Sequence, residues 1–258
     1  MNSIGFIGGG RIVRVFLSGW KRANCLPSDI TVSDSSPAAL AKLNRAFPQV
    51  NTTADNTLPA RHEVVFLALH PPVAKAVLPQ LRVGVKTRLL ASLAPMLTVE
   101  KLSLALGGFA SIARLIPNAP SAVGKGFNPV AFGPAVSGET QTQLLNLLGP
   151  LGDCPVVPER DLESYALISG RGPTYFWPQL YELAALARSF GLPANEALQV
   201  TEKMVLGALA VMRDGDLSME EAMDLIPVKP MPEATALAEA LRTALPGLLA
   251  QMRGATQS

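Results

Sequence analysis

The chain has 258 residues, of which 48% are hydrophobic and only 16% are charged, and its formal net charge is +2. So small a charge, with no run of Lys or Arg, argues against a nucleic-acid partner. Two cysteines far apart, Cys25 and Cys154, predict reduced thiols and no metal site, and no apolar run approaches the roughly 18 residues that cross a bilayer. Because the N-terminus also lacks the basic region and cleavage site of a signal peptide, we expect a cytoplasmic protein with no membrane partner.

The first predicted element is a strand that turns sharply into a helix. The apolar run Ser3–Ile7 leads into three glycines at 8–10, and a helical pattern begins near Arg11. A dinucleotide-binding turn uses such glycines for its bend and for the approach of a pyrophosphate, which the N-terminal amides of the helix bind. Val13 takes the third position, where this fingerprint has Gly or Ala. A glycine-rich hairpin is the alternative, but Asp34 lies about one βαβ unit downstream, where an acidic residue is expected.

Strands and helices alternate from there to about residue 120. The predicted strands are 3–7, 29–34, 64–69, 87–93 and 111–116, and helical patterns follow at 11–21, 37–47, 73–81 and from 98. This alternation predicts a doubly wound α/β sheet, whose ligands lie at the carboxyl ends of the strands. The predicted cofactor-binding residues are Gly8, Gly9, Gly10, Arg11, Ile12, Asp34, Ser35, Ser36, Leu69, His70 and Pro71.

Beyond about residue 160 the pattern changes to long helices. They are predicted at 162–169, 175–190, 194–213 and 233–251, with Pro246 as a kink or stop in the last. Residues 204–212 are apolar on every side of their helix, and such a helix must be buried all round. We therefore expect a homodimer formed by a helical domain at 160–258, after a Rossmann-type NAD(P)-binding domain at 1–159.

Several segments together resemble the pyrroline-5-carboxylate reductase family, which makes proline by reducing a cyclic imine with NAD(P)H. They are GFIGGG at 5–10, the strand end 64–71, RLIPNAP at 114–120 with VGKG at 123–126, SGRGPTY at 169–175 and GLP at 191–193. The resemblance covers nearly the whole chain. It implies a Rossmann-type domain, a helical dimerisation domain and active sites built from both subunits.

Departures from the family fall where the substrate is expected. In the family, the loop before the last helix reads TSPGGTT and its amides bind the substrate carboxylate, whereas this chain has PVKPMPE at 227–233. Three prolines remove three N–H donors, so this anion nest cannot form in the same way. His70 replaces a family Lys, Ala119 a Thr and Arg171 a Ser.

Few catalytic side chains are needed, because a protonated iminium carries its own proton into hydride transfer. Asn118 is predicted to bond the nicotinamide amide or the substrate, with a turn-stabilising Asn as the alternative. His70 is a candidate proton donor or a surface histidine. Arg171 is a candidate bidentate partner for a carboxylate or a solvent-facing residue. The predicted substrate-binding residues are Arg171, Gly172, Pro173, Thr174 and Lys229.

The loop at 33–36 is expected to contact the adenosine end of the cofactor and to decide between NAD and NADP. Asp34 suits a ribose 2′-OH and hence NAD, whereas Ser35 and Ser36 suit the 2′-phosphate of NADP, which we favour slightly. The predicted function is reduction of a small carboxylated cyclic imine. The alternative is a non-catalytic dimeric regulator that binds a dinucleotide. A third interpretation is an alcohol or hydroxyacid dehydrogenase, but this sequence has no Lys or Tyr general acid in a matching motif.

Overall fold

The computed structural model describes residues 3–81, 83–84, 86–228 and 235–257. Its strands are β1 Ser3–Ile7, β2 Asp29–Ser33, β3 Asn51–Thr53, β4 Val64–Leu67, β5 Leu89–Ser92, β6 Ile112–Leu115, β7 Gly126–Phe127, β8 Val130–Phe132 and β9 Gly152–Asp153. Its α-helices are α1 Arg11–Arg22, α2 Pro37–Ala46, α3 Pro71–Val77, α4 Val99–Ala105, α5 Gly138–Leu148, α6 Leu162–Tyr165, α7 Pro173–Ser189, α8 Ala194–Asp214, α9 Met219–Asp224 and α10 Ala236–Gln257.

Within the described residues, seven strands form one sheet in the order β3-β2-β1-β4-β5-β6-β8. All neighbours are parallel except β8, which runs antiparallel to β6. The strand order reverses between β1 and β4, and a doubly wound sheet binds its ligand in the crevice at such a point. The predicted Rossmann-type α/β domain followed by a helical region is thereby confirmed.

An aromatic cluster joins α1 to the centre of the sheet. Phe6 of β1 stacks on Phe66 of β4 with ring centroids 4.9 Å apart, and Phe16 of α1 meets Phe66 edge-on at 5.6 Å. Trp20 is fully buried, and its indole N–H donates to the backbone oxygen of Leu147 (2.8 Å). Such contacts between aromatic rings add to their burial energy, so the middle and the C-terminal half of α1 are held against β1 and β4.

Several predicted boundaries need correction. The strand predicted to Asp34 ends at Ser33, the one predicted to Leu69 ends at Leu67, and the helix predicted at 73–81 spans Pro71–Val77. The strands β3, β7, β8 and β9, the 11-residue helix α5 and the short helix α9 were missed altogether. Strands of two or three residues carry too little periodicity to be read from a sequence.

Pro246 does not end the last helix, which runs to Gln257 with the proline inside it. Beyond the proline, Leu248, Leu249 and Met252 pack against a cluster that includes Ile116. Burial of these three side chains offsets the hydrogen bond that the proline removes.

The chain divides into two compact units. The first runs through Arg171 and includes the chain from Gly247 onward, and the second is Gly172–Pro246. The predicted domain boundary after residue 159 stays a prediction. In the second unit the expected burial of residues 204–212 is not achieved by this chain alone, since Leu209 is 54% and Met212 75% exposed.

Candidate active site

The glycine turn lies at the carboxyl end of β1, between β2 and β4. Gly8 has a φ of +100°, and its N–H donates to the backbone oxygen of Ser33 (2.8 Å). A Cβ on Gly8 would lie 2.6 Å from the backbone oxygen of Ala68, a separation that atoms do not reach without displacement. Both the backbone conformation and the close neighbour therefore require glycine here.

Asp34 closes the turn from the side of β2. Its Oδ2 accepts from the Gly9 N–H (2.7 Å), and its Oδ1 accepts from the Ser36 N–H (2.8 Å). Ser36 is the N-cap of α2, and its Oγ accepts from the Ala39 N–H (3.2 Å). Ser35, between them, is exposed. The carboxylate thus ties the loop after β2 to the glycine turn.

Gly10 provides the test of whether a dinucleotide fits this turn. It is the N-cap of the 12-residue helix α1, it is exposed, and a Cβ on it would meet no heavy atom within 4 Å. Arg11 is also exposed and no acidic residue occupies the first turn of α1, while Ile12 packs against the core. Open space in front of a helix N-terminus, with no carboxylate in the first turn of the helix, fits a pyrophosphate.

The third strand end of this edge is that of β4. Leu69 is half-buried and packs against a buried apolar cluster that includes Leu67 and Leu90, and its side chain would be 2.9 Å from a Cβ on Gly8. His70 is the exposed N-cap of α3, and Pro71 is the first residue of that helix. The structure therefore brings the predicted cofactor residues to adjacent strand ends, while a catalytic role for His70 stays a prediction.

Asn118 follows β6 and is only 7% exposed. Its Oδ1 accepts from the Phe127 N–H (3.2 Å), and its Nδ2 donates to the backbone oxygen of Ser169 (3.2 Å). Because both ends of the amide bond the protein, this side chain holds three separate segments together. Direct contact of Asn118 with a ligand stays a prediction.

Sequence reasoning missed the buried residue behind this loop, Asn128. Its Oδ1 accepts from the Asn118 N–H (3.3 Å) and from the Ser121 hydroxyl (2.7 Å). Cys154 lies beside it, and burial is the main cause that raises the pKa of this thiol to about 11. The sequence carries no signal for Asn128 beyond its place two residues after Gly126.

A buried ion-pair network was also missed. Arg114 of β6 is 1% exposed; its Nη1 lies 2.9 Å from Glu159 Oε1, and its Nη2 lies 2.7 Å from Glu163 Oε1. The available signal was the Arg itself, because a cation inside the otherwise apolar strand Ile112–Leu115 requires a buried anionic partner.

Arg171 follows one π-helical turn, Ala166–Gly170, and its side chain is exposed. A Cβ on Gly170 would lie 3.3 Å from the Ile116 side chain, so this turn packs closely on the segment that carries Asn118. Gly172, Pro173 and Thr174 begin the second unit as the N-cap and first residues of α7. Lys229 lies outside the described residues.

Comparison with known proteins shows what this chain is similar to. A family model described as NADP oxidoreductase, coenzyme F420-dependent, matches residues 3–95. The pyrroline-5-carboxylate reductase of Corynebacterium melassecola is 27% identical over 83% of this chain and 81% of its own length, and that of Escherichia coli is 28% identical over 83% and 80%. The structure of a pyrroline-5-carboxylate reductase from Coxiella burnetii superposes with a TM-score of 0.69 at 27% identity, over 99% of this chain and 96% of that one.

The chain is similar to pyrroline-5-carboxylate reductases over most of its length. The predicted resemblance to this family is confirmed, and so is the prediction that the protein is an NAD(P)-dependent oxidoreductase. A Plasmodium falciparum pyrroline carboxylate reductase with NADP bound has the same fold as this chain, with a TM-score of 0.74 at 21% identity over 99% and 95% of the chains. Across the described ranges, no helix is long and apolar enough to cross a membrane, and no group of three His, Cys, Asp or Glu residues could hold a metal ion.

Proposed function

We propose that this protein reduces a small cyclic imine bearing a carboxylate, with NADPH as the reductant and pyrroline-5-carboxylate as the first substrate to test. The observation that carries the proposal is the glycine turn, whose open face at Gly10 lies beside the strand ends of the crevice. The relatives named pyrroline-5-carboxylate reductase support the same reaction class.

The cofactor, when bound, supplies the hydride that reduces the C=N bond. In our proposal the backbone at Gly10 and the first amides of α1 bind its pyrophosphate. Both oxygens of Asp34 already accept backbone N–H groups, whereas the Ser36 hydroxyl accepts one bond and keeps its hydrogen for donation. This arrangement supports a 2′-phosphate more than a bare 2′-OH, and hence NADP over NAD.

Arg171 is our candidate for the substrate carboxylate. A planar guanidinium can bind a carboxylate through two parallel hydrogen bonds, and Arg171 stands exposed at the end of the turn that packs on the Asn118 segment. It would replace the backbone amides that the three prolines at 227–232 remove. Lys229 is a second candidate cation, and Gly172, Pro173 and Thr174 are proposed to line the same site. His70 is proposed as a proton donor at the neighbouring strand end.

We further propose that the protein is a homodimer through its helical region. An apolar groove of about 320 Å³ between α7 and α8 is lined by Trp177, Leu180, Tyr181 and Leu206 among others, and Tyr181 is 75% exposed. A monomer rarely exposes apolar side chains in such number, and a second copy of the chain would cover them. We also propose a cytoplasmic location, because two isolated cysteines are typical of reduced thiols.

The test is to follow loss of NADPH absorbance with pyrroline-5-carboxylate, using the wild type, Arg171→Ala and Arg171→Lys. We expect turnover by the wild type and a KM for the imine raised roughly tenfold to a hundredfold in Arg171→Ala, because a charge-assisted hydrogen bond is lost. Arg171→Lys keeps the charge without the bidentate fork and should fall between the two.

NADPH binding, measured separately by fluorescence, should be unchanged in both Arg171 variants. Cofactor binding by the wild type without turnover of any carboxylated imine would instead support the non-catalytic regulator. An unchanged KM in Arg171→Ala would remove Arg171 from the site while leaving the reductase proposal in place.

A further inference from the structure

Met96 has a backbone conformation that its side chain disfavours. Among the described residues, Met96 (φ +69°), Asn24 (φ +53°) and Asp216 (φ +47°) are the non-glycine residues with positive φ. Asn and Asp tolerate this left-handed region, because their short polar side chains can bond nearby backbone groups. Met has no such compensation, and residues held this way cluster where function uses the geometry.

A buried ion-pair network holds Met96 in place. The Met96 N–H donates to Glu163 Oε1 (3.3 Å), the same oxygen that binds Arg114 Nη2 at 2.7 Å. Three residues further on, the Val99 N–H donates to Glu159 Oε1 (2.7 Å), the oxygen that binds Arg114 Nη1 at 2.9 Å. One fully buried guanidinium thereby fixes the loop after β5 at two points, through two carboxylates.

The loop is fixed at the edge of the sheet where the substrate is expected. It follows the carboxyl end of β5, the strand between β4 and β6, on the side of the strand-order reversal away from the adenosine loop after β2. Met96 is partly exposed and packs against the buried cluster that contains Ile116 and Leu167. We call Met96, Ile116 and Leu167 the apolar ledge.

The ledge borders the segment that ends at Arg171. Ile116 lies directly under Gly170, where an added Cβ would be 3.3 Å away, and Arg171 is the next residue. We take the ledge as the apolar surface against which the hydrocarbon ring of a ligand bound at Arg171 would pack. Met96 is the ledge residue that the structure leaves partly open to such a ring, since Ile116 is only 6% and Leu167 only 2% exposed.

We propose that Met96 is a specificity-determining residue that restricts the substrate to five-membered cyclic imine carboxylates. This inference rests on the proposed reductase function and on the placement of the carboxylate at Arg171. The left-handed backbone turns the Met96 side chain to a side of the loop that an ordinary conformation does not present. The thioether chain then occupies the volume that the additional methylene of a six-membered ring requires.

The experiment compares wild type, Met96→Ala and Met96→Gly on two pairs of probes. Turnover is measured with pyrroline-5-carboxylate and its six-membered homologue, piperideine-6-carboxylate, at saturating NADPH. Binding of the saturated rings, proline and pipecolate, is measured by calorimetry on the protein loaded with NADP⁺. We expect both Met96 variants to raise the six-to-five ratio of kcat/KM, and of affinity, by about tenfold or more, since one methylene is worth about that much in an apolar site.

Asn24→Gly is the matched control, because it relieves the same backbone conformation without altering the ledge. Asn24→Gly should leave the ring ratio unchanged. No change of ratio in either Met96 variant, with a thermal melt showing that the variant is folded, would overturn the inference. Absence of turnover, with the ring ratio in binding still shifted by Met96→Ala, would reject the reductase and retain Met96 as the residue that selects ring size. A wild type that binds neither ring would reject both.

Discussion

Gly10→Ala separates the role of the glycine turn in folding from its role in cofactor binding. Gly10 has φ −72° and ψ −163°, an extended conformation that any residue adopts, and a Cβ on it would meet no heavy atom within 4 Å. The added methyl group would therefore face open space in the protein alone. It would stand in front of the helix N-terminus, where the pyrophosphate is proposed to bind.

The expected effects follow from these two facts. Folding stability should change by less than about 0.5 kcal/mol, because the poorer N-cap preference of Ala is offset by the smaller entropy of the unfolded chain. A methyl group between the backbone and the phosphates would lengthen charge-assisted hydrogen bonds that are each worth about 1.5–3 kcal/mol. The Kd for NADPH should therefore rise on the order of tenfold to a hundredfold.

The assay is NADPH titration by nicotinamide fluorescence, together with a thermal melt of each variant without cofactor. Gly138→Ala is the matched control, since Gly138 is also exposed, lies in the first turn of α5, and has no heavy atom within 4 Å of its added Cβ. Wild-type affinity in Gly10→Ala would refute the placement of the pyrophosphate at this turn. A large fall in Tm would refute the claim that its surroundings are open.

Three further outcomes test the framework of the site. Gly8→Ala should lower stability by about 3 kcal/mol, seen as a fall in Tm of several degrees, because its positive φ and a nearby carbonyl oppose a side chain; an unchanged Tm would contradict this. Arg114→Met should cost about 3–5 kcal/mol in urea unfolding by leaving the Glu163 carboxylate buried and unpaired, and adding Glu163→Gln should recover much of the loss. Burial raises the pKa of Cys154 to about 11. At pH 8 iodoacetamide should therefore alkylate the exposed Cys25 before Cys154. The alkylation rate of Cys154 should rise above its own rate at pH 8 as the pH approaches 11. Equal labelling of the two thiols at pH 8 would contradict the burial of Cys154.

The sheet and the glycine turn could be predicted because their signals are local. A run such as Val64–Leu67 is wholly apolar since helices cover both faces of a parallel strand. The glycines at 8–10 predict a sharp turn from the sequence alone, and Gly8 does have the positive φ that such a turn needs. The periodic helices α7 and α8 were also found where they were expected, with their ends within three residues of the prediction.

The rest of the site could not be predicted, because it consists of contacts between residues far apart in the chain. Asn118 bonds Ser169, 51 residues away, and Arg114 bonds Glu163, 49 residues away. Nothing local to either sequence position specifies its partner. The left-handed conformation of Met96 is likewise imposed from outside its own segment, through Glu163, so local propensity gives no warning of it.

The carboxyl edge of the sheet therefore has a cofactor half and a proposed substrate half, which differ in how readily their residues can be substituted. The cofactor half is built from backbone atoms, and at Gly8 there is neither conformational freedom nor room for a side chain. The half where we propose that the substrate binds presents side chains on a frame that Arg114 and Asn118 hold in place, and Met96 and Arg171 lie at its surface. Exposed side chains on a fixed frame can be replaced at small cost in stability, whereas a buried turn cannot. The side chain at position 171 can thus be replaced while the cofactor turn is kept, and Arg171 is one of the residues by which this chain departs from the pyrroline-5-carboxylate reductase pattern.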